Sequence, residues 1–130
     1  MKKNQLLYFF LRLPIAVSLL GHGLVRLPKL STFSNWMVET MEKSFLPKVL
    51  VIPFSYALPI LEAIIGLLLL IGFKTKYTIY AGLVLMSILI LGSSSIENWG
   101  AIEAQLLHSF YLFALLYVLE RDSFKIKEIV

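Results

Sequence analysis

Six side chains in this sequence could do chemistry that their surroundings make costly: Arg12, His22, Arg26, Glu62, Gln105 and His108. Each lies in or at the edge of a long apolar run. An ionisable group at the centre of a membrane helix costs about 2.5–3.5 kcal/mol on insertion scales, so it must pair, reach water or serve a function. With a rise of ~1.5 Å per residue, Arg12 lies about 9 Å from the start of its run and Glu62 about 14 Å from the same side, near the midplane. An arginine side chain spans that difference, so an Arg12–Glu62 ion pair is expected. Toward the other side, His22 and His108 each lie roughly 8–9 Å in from the ends of their runs, with Arg26 and Gln105 one turn further out.

The helical wheel makes these groups converge. Arg12, His22 and Arg26, together with Gly23, fall within an arc of about 80°. Ser55, Pro59, Glu62 and Gly66 share a second face, and Gln105, His108, Ser109 and Leu112 a third. Three such faces imply a common interior pocket. Blander roles stand beside this one: Arg12 and Arg26 can snorkel to headgroups, Glu62 can be protonated or paired purely for packing, and His22, between Gly21 and Gly23, can bond a neighbouring helix.

The chemistry open to these residues is narrow. With Cys 0, disulfides, thiolate metal sites and dithiol relays are excluded. Two histidines on different helices give a weak signal for haem ligation. Carboxylates and histidines at metal-ligand spacing, a phosphate loop and a Ser-His-Asp arrangement are lacking. A quinone or other apolar carbonyl compound fits better, its ring and tail in hydrocarbon and its oxygens facing His or Arg. Glu62 or His22 would then handle protons, and any electron carrier must come from a cofactor or a partner.

The elements that position these groups follow from composition. The 130 residues are 58% hydrophobic and 15% charged, with a mean hydropathy of +0.83. Soluble domains run near ~45–50% and ~25%, so disorder, a nucleic-acid partner and an ordinary soluble enzyme are excluded in favour of an integral membrane protein. A crossing needs about 20 apolar residues, and the runs 6–27, 51–71, 77–93 and 102–119 supply four. Only helices or closed barrels satisfy the backbone in lipid. The expected fold is therefore an all-α, single-domain membrane four-helix bundle. Between the first two spans, Phe33, Trp36, Met37, Thr40 and Met41 recur at helical spacing, which predicts a short amphipathic helix over 31–44. It would lie at headgroup level or pack as a lid over the bundle.

The net charge of +4 fits anionic lipid headgroups. Lys2, Lys3, Lys74, Lys76, Arg121, Lys125 and Lys127 fall on one side of the four spans, and Lys29, Lys43 and Lys48 on the other. The positive-inside rule then puts both termini in the cytoplasm and the pocket toward the opposite side. Arg12 interrupts what otherwise looks like a signal peptide, so the first run is expected to remain as a span.

Arg12 followed by Gly21-His22-Gly23-Leu24-Val25-Arg26-Leu27 resembles the first-helix pattern of DoxX-type membrane proteins. Leu61-Glu62-Ala63-Ile64-Ile65-Gly66-Leu67 through Gly72-Phe73-Lys74-Thr75-Lys76 is similar to that family's second signature. Arg26 stands where lysine is usual, Leu61 where glycine is frequent and Phe73 where leucine is common. The resemblance implies a prokaryotic cytoplasmic membrane and association with redox or quinone-linked complexes, and it maps Arg12, His22, Arg26 and Glu62 onto the family's polar positions. Three functions compete: a subunit that binds a quinone or similar lipophilic molecule and partners an oxidoreductase, an assembly protein whose buried charges fix packing, and a small transporter or proton pathway. Four helices are few for a carrier unless the chain forms a homo-oligomer.

Overall fold

The computed structural model describes residues 3–121, and it is helical throughout apart from short connections. Five helices occur in order: α1 Lys3–Arg26, α2 Leu30–Thr40, α3 Lys48–Ile71, α4 Thr75–Ser95 and α5 Trp99–Glu120. The long ones, with 24, 24, 21 and 22 residues, reach or exceed the ~30 Å hydrocarbon thickness. Four helical runs are long and apolar enough to cross a membrane, and the chain is a multi-pass membrane four-helix bundle. Lys2, Lys125 and Lys127, which enter the charge asymmetry, lie outside the described residues.

The breaks have local causes. Pro28 opens a 3-10 turn, Leu27–Lys29; lacking an N–H, it cannot continue the α-helical ladder, so α1 gives way to α2. Gly72 ends α3 with φ 77°, a left-handed conformation that a side chain would strain. The Gly72 and Phe73 amides both donate to the Leu68 carbonyl at 3.0 Å. Asn98 caps α5 by accepting from the Ala101 amide at 3.2 Å, as an N-cap side chain should.

Two antiparallel pairs, α1–α3 and α4–α5, make the most extensive contacts, and α3 also packs on α4. Lipid is as apolar as leucine, so association relies on close approach and interhelical hydrogen bonds. Both are present. A Cβ added to Gly66 would overlap the Leu20 backbone, and one on Gly23 would come within 2.5 Å of the Pro59 carbonyl oxygen and the Ala63 amide. These two contacts set the register of α1 against α3. Tyr111 donates its hydroxyl to the Leu11 carbonyl, Lys76 pairs with Glu120 at 3.1 Å, and Ile65, Leu69, Ile79 and Leu112 fill the interior. Large apolar side chains such as Leu7, Val25, Val84 and Phe110 face outward, where lipid would cover them.

In that register Arg12 meets the end of α3. Its Nε donates to the Leu69 carbonyl at 2.8 Å, and its guanidinium lies beside Gly72. A helix end leaves carbonyls without intrahelical partners and carries partial negative charge, and a cation there answers both.

The glycines make a direct comparison. Gly66→Ala should lower stability by about 1–3 kcal/mol, the cost of overpacking a tight contact. Gly21→Ala, which meets nothing within 4 Å, should be neutral or stabilising by up to about 1 kcal/mol through helix propensity. Unfolding in mixed detergent micelles measures both. By the same assay Arg12→Ala should cost about 1.5–3 kcal/mol, the range for a hydrogen bond to a charged group.

Candidate functional site

Toward the end of the bundle that holds the start of α3 and the α4–α5 connection, residues of the two helix pairs face one another across a gap. Between them lies a cavity of about 560 Å³, within the range of small-molecule sites. His22, Arg26, Glu62, Gln105 and His108 line it, and Arg12 does not. Most of the remaining wall is apolar and includes Phe33, Trp36, Met37, Phe54, Leu58 and Met86. Ionisable groups thus share a largely hydrocarbon chamber.

The ion pair differs from expectation. Glu62 is only 4% exposed, and its Oε1 accepts from Arg26 Nη1 at 3.0 Å. Arg12 lies at the other end of α3, because the Gly23 and Gly66 contacts slide α1 along α3 until Arg12 is level with Leu69. Depth counted from each helix end assumes that the ends are flush, and these are not. Arg26 also lies over the Phe33 ring, 4.5 Å from its centroid. It therefore bridges an anion and an aromatic face within the protein, in place of snorkelling.

The two histidines meet across the bundle, ring centroids 5.8 Å apart and planes at 89°. His22 Nδ1 lies 2.7 Å from the Ser18 carbonyl oxygen, and His108 Nδ1 lies 2.8 Å from that of Ala104. A carbonyl oxygen can only accept, so each Nδ1 carries the hydrogen and, in the neutral ring, each Nε2 presents a lone pair. The Ser18 hydroxyl donates to His108 Nε2 at 2.9 Å, tying α1 to α5. Gln105 Nε2 donates to Ser93 Oγ at 3.0 Å, tying α5 to α4.

This geometry does not suit haem ligation. Rings in edge-to-face contact leave no room for a porphyrin between them, and His108 Nε2 is already engaged. Among the described residues, no group of three or more His, Cys, Asp or Glu could hold a metal ion.

The amphipathic segment forms α2, which packs against α3 and over the cavity. Phe33 and Ser34 are buried, the Ser34 and Ser55 hydroxyls hydrogen-bond at 2.6 Å, and Phe33, Trp36, Met37, Thr40 and Met41 line the cavity. Ser18 was not singled out by the sequence, although a hydroxyl one turn before His22 is a recognisable signal.

No curated protein and no solved structure matches this chain. A family model does: methylamine utilisation protein MauE, over residues 4–96. It overturns the DoxX resemblance. The motifs behind that resemblance are glycines at helix contacts and a buried charge beside its partner, which any small membrane bundle can need. The matched residues take in α1 to α4 and three of the cavity's four ionisable groups, His22, Arg26 and Glu62, and the chain belongs to the MauE family.

Proposed function

We propose that the cavity binds a lipophilic molecule of the quinone class and that the chain serves a membrane redox system through it. The observation that carries this reading is one 560 Å³ chamber with a mostly apolar lining into which two polar pairs are set, His22 with His108 and Arg26 with Glu62. A ring with a hydrocarbon tail matches the lining, and ring oxygens match the polar pairs. The family's name ties its model to methylamine utilisation, a setting that a membrane redox partner fits. The 130 residues contain no cysteine, so any electron transfer must use a bound molecule or a partner protein. The surplus of basic residues at the α3–α4 turn and the chain ends supports cytoplasmic termini, with the cavity in the far half of a prokaryotic inner membrane. Glu62 and the histidines are then proton-handling candidates, and Gln105 and Arg26 would orient the ligand.

Trp36 lines the cavity and Trp99 does not, which provides a built-in probe. Titrating the protein in lipid nanodiscs with short-tailed benzoquinones and naphthoquinones should give saturable quenching of tryptophan emission. Trp36→Phe should remove most of that signal and Trp99→Phe little of it. Arg26→Ala should weaken binding about tenfold, the equivalent of ~1.4 kcal/mol. Quenching that rises linearly and ignores the Trp36 substitution would show partition into lipid and defeat the reading, leaving the ion pair a packing device.

A further inference from the structure

Beside Arg26, two acceptors that line the cavity stand without a donor. Glu62 Oε1 is taken by Arg26, while Oε2 receives no hydrogen bond among the described residues. His22 Nδ1 is committed to the Ser18 carbonyl, so the Nε2 lone pair of the neutral ring is free and faces the same chamber. His108, built the same way, has its Nε2 already satisfied by Ser18. Arg26 gives one of its five N–H groups to Glu62 Oε1 and lies over Phe33, so it can still donate to a ring oxygen placed on its own side. An acceptor that faces a largely apolar chamber without a donor is costly, and a carboxylate oxygen most of all.

Resting on the reading of the cavity as a quinone-class site, we propose that it selects the reduced, dihydroxy form of such a ring over the dicarbonyl form. A ring hydroxyl can donate to Glu62 Oε2 or to His22 Nε2. A quinone carbonyl placed there would set lone pair against lone pair. A site built to bond a hydroxyl rejects the analogue that lacks it far more strongly than an apolar pocket rejects a change of shape. The selectivity therefore lies in Glu62 and His22, while the apolar wall holds both forms alike.

Anaerobic titration of the nanodisc-embedded protein with one short-tailed quinone, its quinol and the quinol's dimethyl ether tests this. The quinol should bind at least tenfold more tightly than the quinone, equivalent to a shift of about +30 mV in the bound couple's two-electron potential. The dimethyl ether, which keeps the oxygens and loses the donors, should bind no better than the quinone. Glu62→Gln, which supplies a donor at the same place, should reduce the preference or reverse it. If Glu62→Gln fails to fold, the ether comparison on the unaltered protein still decides. Saturable binding of both forms with equal affinity, or with the quinone favoured, would overturn the selectivity and leave the site standing. No saturable binding of any of the three would overturn the site itself.

Discussion

An acid held among hydrocarbon side chains needs a partner or a proton, and the cavity end of this bundle supplies the partner. Glu62, nearly inaccessible, meets Arg26 at 3.0 Å. Removing either partner of such a pair leaves a charge whose burial costs several kcal/mol. The pair can form because Gly23 and Gly66 let α1 and α3 approach until backbone meets backbone. It also constrains the next stretch of chain. Arg26 is the last residue of α1, Pro28 breaks the ladder immediately after it, and Phe33 comes to lie beneath its guanidinium. The placement of α2 against α3 thus begins with the charge that Arg26 must serve.

The same arrangement explains why the bundle is tight at one end and hollow at the other. Toward the α3–α4 turn, Gly82 admits Leu112 and Ile65, and the helix pairs close on a leucine-rich core. Toward the α4–α5 connection, the pairs enclose the cavity and side chains bond between them. Ser18 reaches His108 from the opposite pair, and Met41, after α2, touches α4 near Gly92.

Much of this was legible in the residues. Four apolar runs gave four helices, and the period that puts Ser55, Pro59, Glu62 and Gly66 on one face buries all four. What the periodicity could not supply was the sliding register of α1 on α3. Depth measured from helix ends pairs Glu62 with Arg12, whereas the glycine contacts pair it with Arg26. Nor could an amphipathic stripe say what it faces. Phe33 and Trp36 would suit lipid headgroups as well as a protein wall, and the contact of α2 with α3 rests on a hydroxyl pair, Ser34 with Ser55, that the stripe does not announce. The family was misread for a related reason: short motifs of glycine, charge and aliphatic residues report membrane packing before they report ancestry.

The two histidines show how little separates a packing group from a reactive one here. Each hydrogen-bonds through Nδ1 to the carbonyl of the residue four before it, using the second lone pair of an oxygen already within the helical ladder. That local device fixes the ring and its tautomer without help from another helix. The difference lies in Ser18, whose carbonyl oxygen accepts from His22 while its hydroxyl donates to His108. One residue therefore orients both imidazoles, and it satisfies His108 while leaving the far nitrogen of His22 open to the cavity.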